Sequence, residues 1–518
     1  MSLQDLHLIK LTISAMAVVL LVLLRFFRNS SNKYANWGLR GLAALLVVAA
    51  VGAYFDFGQY PKFGTFRNPH DLFHYYLGSK YSPEIGYQDL YPAVIVAARE
   101  NNGKLAHSTM RRMDDYSFEK AEQVMARVNT YRNLFSPERW QTFKTDVVFF
   151  QSILGPRFST VIQDMGYNAT PVWNMIGRSI TNRVPATDAG MSFLVAIDLM
   201  LLSVAFATVW RAFGWQTGLF TLVFFCTCFS TSYTHARGAF LRFDWLAALL
   251  MSMSALKTGR HKTAGALVGY AAMMRVFPLV FAVGLGGKLL WDLVRRIYPP
   301  SVPPVYGGEV RRYLQFFLSM GAVFSVLLGL TIWFDGAKIW SEFFQKITLH
   351  DSHIAPVRVG FKYIFLMTHT SPTGGWAAFK AENINQFHDL RVWWWLIQAG
   401  VLAAFLYLVK NLEDYETVAF GYVLAFFLTA PTFYYQIMVL TAVFLFLPKC
   451  DHWPRLAGVM LMFAMSIALF VLERHLKLDL RLSFIMSCLL MGLTLYMMAV
   501  TLFERGGKES RTPQPRAG

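Results

Sequence analysis

The sequence is poor in charged residues and in cysteine. Only 15% of its 518 residues are Asp, Glu, Lys or Arg, whereas soluble domains average about a quarter. Hydrophobic residues make up 55% of the chain, and the mean hydropathy is +0.38. This composition excludes a disordered chain and an ordinary water-soluble enzyme. The cysteines lie in or beside apolar runs, so they indicate neither a disulfide framework nor a metal site.

Several catalytic and nucleotide-binding motifs are missing as well. The chain has no GxxxxGK[ST] loop for ATP, no HExxH zinc motif and no GxSxG nucleophile turn. Its formal charge of +17 comes from basic residues between apolar runs, which is typical of cytoplasmic loops of membrane proteins. A nucleic-acid-binding protein would instead carry them on a soluble, basic face. We therefore expect no nucleic-acid partner, no cofactor and no metal.

The apolar runs predict an all-α polytopic membrane protein of about 13 transmembrane helices. The first run, 9–27, is followed by Arg25, Arg28, Lys33 and Arg40 without a cleavage site, which indicates a retained helix ending in the cytoplasm. The predicted parts are two N-terminal helices (1–55), a large external loop of amphipathic helices (56–189), a bundle (190–333) with a broken short helix pair near 263–292, a second external loop (334–391), C-terminal helices (392–503) and a cytoplasmic tail (504–518).

The first external loop opens with the richest polar stretch of the chain. His70, Asp71, His74, Tyr75 and Tyr76 follow the second span directly, at the depth where a lipid headgroup meets water. A carboxylate placed there can remove a proton from an acceptor hydroxyl, and the tyrosine rings offer flat faces to a sugar or a lipid. The alternative interpretation is an interfacial aromatic belt with an Asp that caps a helix.

These residues resemble a known family. The pattern Asp71-Leu72-Phe73-x-Tyr75-Tyr76, followed by Gly86-x-x-x-Leu90-Tyr91, is similar to the first loop of GT-C glycosyltransferases, closest to the family-87-like enzymes that use polyprenyl-phosphomannose. HKTAGALVGYAAMMRVFPLVF resembles their short helix pair, and TAPTFYYQIMVL resembles their later Pro-Thr aromatic motif. The chain departs from the family in an additional early span and in the length of its first loop.

The resemblance implies an inverting transfer of a sugar, mannose by analogy, from a polyprenyl-phosphate donor to a hydroxyl of a lipid or glycan acceptor. The family's catalytic Asp corresponds to Asp71, which would act as the general base. Asp56 is a rival base without the paired tyrosines. The implied location is a bacterial inner membrane, with the site facing the periplasm or exterior.

The leaving lipid phosphate needs cations in a water-poor site. Arg275 is the first candidate, since an arginine at membrane depth costs about 2.5–3.5 kcal/mol and needs a partner or a task. Snorkelling to headgroups is the alternative for Arg275, and pairing with Asp244 or lipid is the alternative for Arg237 and Arg242. The predicted substrate-binding residues are His70, His74, Tyr75, Tyr76, His235, Arg237, Arg242, Arg275, His353, Arg358, Lys362, Tyr434 and Tyr435, with His350 as a further basic candidate.

Two other functions remain open from the sequence. A transporter or flippase for a lipid-linked sugar predicts charges along a central pathway, and Asp198 inside the third span fits it. A lipid-linked glycan ligase or polymerase would also have a large external loop with basic residues. Asp164, Tyr167, Asn168 and Trp173 either shape an acceptor site or form a turn that returns the chain to the membrane.

Overall fold

Helices dominate the computed structural model, which describes residues 1–27, 32–101, 109–232, 236–297, 310–355, 358–366, 375–476 and 480–509. The strands assigned within these ranges are a short antiparallel pair, β1 (Thr109–Arg111) and β2 (Phe118–Lys120), in which Met110 lies opposite Glu119. The all-α prediction is therefore confirmed for the described part of the chain.

Eight helices of the described residues are long and apolar enough to cross a membrane, so the chain is a multi-pass membrane protein. The prediction of about 13 spans takes every apolar run of the sequence as a membrane-spanning segment. Three of those runs form helices shorter than the bilayer is thick: 216–232 and 240–256 correspond to helices of 13 and 14 residues, and the run 417–430 to two helices of 7 residues each.

The first two helices lead directly to the predicted catalytic loop. A capping box between Ser2 and Asp5 starts the first helix. The second helix packs against the first and ends two residues before Asp56, which lies at the end of the bundle that carries Asp71. The two helices are α1 (Leu3–Phe26) and α2 (Lys33–Tyr54).

The first loop is built from short helices with clear start signals. Ser136 caps a helix whose first residue is Pro137, a position where the missing amide hydrogen of proline costs no bond. The strand β2 pairs with β1 just before α7. The helices are α3 (Pro69–Leu72), α4 (Gly78–Lys80), α5 (Ser82–Ile85), α6 (Leu90–Glu100), α7 (Ala121–Met125), α8 (Val128–Arg132), α9 (Pro137–Leu154), α10 (Phe158–Val161) and α11 (Pro171–Thr181), with a π-helical turn at Phe73–Leu77.

The central bundle contains a break at Arg275. One helix ends at Met274, Arg275 is extended, and the 3-10 turn Phe277–Ala282 begins the next helix, because Pro278 lacks the amide hydrogen that a continuous helix needs. The helices are α12 (Asp188–Phe213), α13 (Trp215–Thr227), α14 (Phe229–Ser232), α15 (Asp244–Lys257), α16 (His261–Met274), α17 (Val283–Ile297) and α18 (Val310–Asp335).

Close packing between α16 and α18 depends on glycine, and this gives a testable prediction. A Cβ at Gly265 would lie 2.0 Å from the carbonyl oxygen of Phe316, whereas a Cβ at Gly321 of α18 would have nothing within 4 Å. Gly265→Ala is therefore expected to lower the free energy of unfolding by about 1–3 kcal/mol. Thermal unfolding in detergent measures this, with Gly321→Ala as control; equal midpoints for both variants would contradict the packing.

The C-terminal part carries the second predicted loop and the last helices. A long helix begins at Gly375, inside the predicted loop 334–391, and its candidate membrane span begins at Phe387. The helices are α19 (Lys338–Ser352), α20 (Phe361–Leu366), α21 (Gly375–Leu408), α22 (Asp414–Phe420), α23 (Tyr422–Leu428), α24 (Ala442–Phe446), α25 (Trp453–Leu476) and α26 (Leu480–Glu509), and the 3-10 segment Phe433–Thr441 precedes α24.

A group of buried ion pairs closes the end of the bundle opposite Asp71. Asp414, at the start of α22, lies 2.9 Å from both His261 and Lys288 and 3.5 Å from Arg312. These partners come from α16, α17 and a third helix, α18. One carboxylate therefore joins four helices at that end, and the opposite end is left for Asp71 and its neighbours.

Candidate functional site

The chain around Asp71 is fixed from two sides. The Asn68 side chain accepts a hydrogen bond from the Asp71 amide at 3.2 Å and so caps α3. The Asn68 amide donates to the carbonyl of Gly238 at 2.7 Å. Gly238 has a φ of +67°, and a Cβ there would lie 1.8 Å from the Phe66 carbonyl oxygen, so the close approach of the two segments needs glycine.

Asp71 forms a buried ion pair with Arg242, through one carboxylate oxygen. Within the described residues, the other oxygen of Asp71 and the Nη1 atom of Arg242 are buried without a hydrogen-bond partner. The Arg242 guanidinium lies 5.1 Å from the centre of the Tyr75 ring and 4.9 Å from that of Tyr434. The structure thus brings four predicted site residues together from three distant parts of the sequence.

Arg275 adds a second buried guanidinium beside the same tyrosine. It lies 5.9 Å from the Tyr75 ring and 5.8 Å from the Trp173 ring. It donates to the carbonyls of Met274 at 3.0 Å and Leu241 at 3.4 Å. No carboxylate of the described residues lies within ion-pair distance of it. Two guanidinium groups therefore lie beside Tyr75, one paired with Asp71 and the other under the electrostatic influence of Asp244, and both can offer hydrogen-bond donors to an anion.

An aromatic wall next to these cations is held by backbone and side-chain contacts of Val359, in the second predicted loop. Val359 donates from its amide to the Pro431 carbonyl at 3.0 Å, and Gln436 donates from its side chain to the Val359 carbonyl at 2.9 Å. The adjacent rings of Tyr434 and Tyr435 lie 4.6 Å apart. Tyr435 continues the wall towards Phe277, at 5.5 Å, and Trp245, at 6.1 Å.

The basic residues of the second loop lie in a separate cluster. Arg358 is buried, lies 3.4 Å from Asp351 and donates to the carbonyl of His350. Lys362 lies 3.3 Å from the same carboxylate. The ring of His353 packs at 5.4 Å against Tyr116. Arg358 also forms an antiparallel backbone bridge with Thr432, two residues before Tyr434, and the binding roles of Arg358, Lys362 and His353 stay predictions.

Arg237, a predicted binding residue, lies in a buried ion-pair group with Asp56. It forms two hydrogen bonds with the carboxylate of Asp56, at 2.7 and 3.0 Å, and Lys10 lies 3.5 Å from that carboxylate. All three side chains are buried. The pairing occupies both Asp56 oxygens, so Asp56 is not placed to act as a base, and Arg237 joins the first loop to α1 and α2 instead of facing a substrate.

Two more predicted binding residues have different outcomes. Tyr76 is fully buried, donates to the Val184 carbonyl at 2.8 Å and accepts from Lys80 at 2.9 Å, so it is a structural residue. The Tyr pair thus divides its roles, because neighbouring residues on a helical turn face different sides. The prediction for His235 lies outside the described residues.

His70, His74 and Asp164 form the one group that the described residues offer for a metal, with ligand atoms within 4.8 Å of one another. Burial lowers the pKa of His74. Its Nδ1 lies 2.9 Å from the His70 carbonyl, which only accepts, so Nδ1 donates and Nε2 accepts from the Tyr91 hydroxyl at 2.7 Å. A metal would have to displace Tyr91 from His74. The expectation of no metal stays a prediction.

Asp198 and Trp173 hold the backbone on both sides of Arg242. This role was not predicted from the sequence. Asp198 accepts a hydrogen bond from the Phe243 amide at 2.9 Å, next to Arg242. Trp173 is buried and donates to the Leu241 carbonyl at 3.2 Å. The sequence offered one signal for this role: Asp198 lies inside a predicted span, where a carboxylate needs a hydrogen-bond partner. Asn168 donates within its own turn, while its Oδ1 atom is buried without a hydrogen-bond partner among the described residues, so the turn and the acceptor site both remain open.

Lys346 gives a pH-dependent prediction in the second-loop cluster. Burial lowers its pKa from 10.5 to about 7, while Nζ donates to the Met113 carbonyl at 2.8 Å. Between pH 7 and 10.5 the unfolded chain binds more protons at this lysine, so stability rises with pH. From pH 7 to pH 9 we expect a gain of about 2 kcal/mol from this group.

Thermal unfolding of the wild type and of Lys346→Met at the two pH values measures this contribution. The gain between pH 7 and pH 9 is expected to be larger in the wild type. A gain of the same size in the variant, or a fall in wild-type stability alone, would contradict the assignment to Lys346.

Comparisons with known proteins leave the site to be judged on its own geometry. No protein-family model, curated protein or solved structure matches the chain.

Proposed function

We propose that the protein is a membrane glycosyltransferase of GT-C type that transfers a sugar from a polyprenyl-phosphate donor to a hydroxyl of a lipid or glycan acceptor. Mannose is the sugar that the family resemblance suggests. The proposed place is the external face of a bacterial inner membrane, where nucleotide sugars are absent and a lipid-linked donor is needed. The membrane character itself rests on the eight long apolar helices.

One observation carries this proposal. Two buried arginines lie beside the ring of Tyr75, and one of them is paired with a buried carboxylate. Arg242 and Arg275 lie 5.1 and 5.9 Å from the Tyr75 ring, and Arg242 pairs with Asp71. Inverting transfer needs a base on one side of the sugar and cations at the leaving phosphate on the other. The cluster supplies both kinds of group in a site shielded from water.

The reaction follows from these roles. Asp71 accepts the proton of the acceptor hydroxyl as its oxygen attacks the anomeric carbon. The bond between that carbon and the phosphate oxygen breaks, and its electron pair goes to the phosphate. Arg275 and Arg242 stabilise the charge that develops there. The products are the glycosylated acceptor and polyprenyl phosphate, with the proton on Asp71, and the mechanism needs no cofactor.

The surroundings of Arg275 suit a donor with a long apolar chain. Val276 and Leu279, directly after it, are 46% and 43% exposed. On a helix inside a membrane protein such side chains face lipid. A polyprenyl chain can therefore lie against this turn in the bilayer while its phosphate reaches Arg275. The aromatic wall of Tyr434 and Tyr435 lies on the side of Arg242.

A reconstitution experiment tests the proposal. Purified protein in proteoliposomes receives a radiolabelled polyprenyl-phosphate sugar and a membrane lipid extract as the source of acceptors. We expect the label to move from the donor to a new product, with release of polyprenyl phosphate. If the labelled donor only changes leaflets and stays intact, the protein is a flippase and the proposal is wrong.

A further inference from the structure

We infer that Arg242 is an exchangeable partner: it neutralises Asp71 in the empty site and passes to the donor phosphate when the donor binds. The inference rests on the proposed function and adds an order of events to it. Asp71 then becomes a free base only after the donor is in place. An acceptor that arrives first meets a carboxylate already engaged by a cation.

Polar atoms without hydrogen-bond partners in the Asp71–Arg242 pair support this exchange. Asp71 and Arg242 are 4% exposed each, yet one Asp71 oxygen and Nη1 of Arg242 have no hydrogen-bond partner among the described residues. Unsatisfied buried polar atoms are costly, and at functional sites they point to an absent ligand. A phosphate would satisfy the Nη1 atom, and an acceptor hydroxyl would satisfy the Asp71 oxygen.

The surroundings of Arg242 allow its guanidinium to move while its backbone stays fixed. The Arg242 carbonyl accepts from Trp245 Nε1 at 3.0 Å, and the next amide is held by Asp198. The guanidinium lies close to the rings of Tyr75 and Tyr434, and ring faces hold a cation without a directional hydrogen bond. A change of partner can therefore take place by movement of the side chain while the backbone stays fixed.

Electrostatics decides the direction of the exchange. Arg275 lies beside the same Tyr75 ring and has no carboxylate within ion-pair distance among the described residues. It attracts the donor phosphate independently of Asp71. Once the phosphate is there, Arg242 is shared between two anions. Asp71 uses one carboxylate oxygen in the empty site, whereas a phosphate can accept two parallel hydrogen bonds from the guanidinium.

The test is the affinity of the protein for polyprenyl phosphate, measured in nanodiscs without any acceptor. If Asp71 competes with phosphate for Arg242, Asp71→Asn should bind polyprenyl phosphate about 10- to 100-fold more tightly than the wild type. Arg242→Lys keeps the positive charge but cannot form a bidentate pair with the phosphate, so it should bind polyprenyl phosphate at least about tenfold more weakly. Thermal unfolding checks that each variant is folded.

Two controls separate exchange from a general charge effect. On an Arg242→Gln background, Asp71→Asn should give no gain in affinity; an equal gain there would show a long-range field and overturn the inference. Asp335→Asn is the matched control, because Asp335 pairs with Arg178 at 2.6 Å and also has a buried oxygen without a partner in the described residues. It should leave the affinity unchanged.

The remaining outcomes are equally decisive. Unchanged or weaker binding by folded Asp71→Asn would overturn the exchange while leaving the proposed function standing. Unchanged binding by Arg242→Lys would do the same if Asp71→Asn does not fold. A wild-type protein that binds no polyprenyl phosphate at all would overturn both the proposed function and this inference.

Discussion

Asp71→Asn is expected to lower the rate of sugar transfer by about 10²–10⁴-fold, because the amide has the shape of the carboxylate but cannot accept the acceptor's proton. The expectation rests on the buried position of Asp71, which pairs with Arg242 next to the Tyr75 ring. Initial rates of transfer in proteoliposomes, at saturating donor, measure the effect. The loss should appear in kcat, since the base acts in the chemical step.

A matched aspartate makes the result for Asp71 interpretable. Asp335→Asn removes a carboxylate from another arginine pair, Arg178, and should keep transfer within a few-fold of the wild type. Both variants should show a cooperative thermal transition. Full activity of folded Asp71→Asn would remove Asp71 from the chemistry.

Arg275→Gln is expected to lower kcat by about 10²–10³-fold and to raise the KM for the donor. Removing one preorganised donor from a site where charge develops costs this much in other enzymes. Arg275 has a large share of the task because no carboxylate of the described residues neutralises it within ion-pair distance. Its two hydrogen bonds to backbone carbonyls fix it in place.

The kinetic pattern distinguishes phosphate stabilisation from mere anchoring. Arg275→Lys keeps the charge and should recover part of the lost rate, whereas Arg178→Gln, outside the site, should change neither constant. If Arg275→Gln changed only the midpoint of thermal unfolding and left kcat and the donor KM intact, Arg275 would be a structural residue.

The parts of the site that could be predicted from the sequence are those that follow from the free-energy cost of placing a charged side chain in the bilayer. An arginine in an apolar run, three residues before a proline, is expected to lie where a helix breaks and to have a partner or a task, and Arg275 does lie in such a break beside Tyr75. The aromatic residues after Pro431 and after Asp71 shared the same predicted face. In the structure the rings of Tyr434 and Tyr75 both lie close to the Arg242 guanidinium.

Pairings between distant residues could not be predicted in the same way. Arg237 and Arg242 are five residues apart and looked equivalent, yet one pairs with Asp56, 181 positions away, and the other with Asp71. The choice depends on the turn that Gly238 and Asp198 fix, which is a property of the tertiary structure. The count of about 13 spans stays a prediction beside the eight long apolar helices of the described residues, since apolar composition does not distinguish a full span from a short buried helix.

The central claim is that a phosphate binds between Arg242 and Arg275, with Asp71 on the acceptor side. A structure of the protein with bound polyprenyl phosphate tests this most directly. We predict phosphate oxygens within hydrogen-bond distance of both guanidinium groups and a lipid chain leaving along Val276 and Leu279. A phosphate held elsewhere, with the Asp71–Arg242 pair intact and no lipid beside Arg275, would contradict the claim.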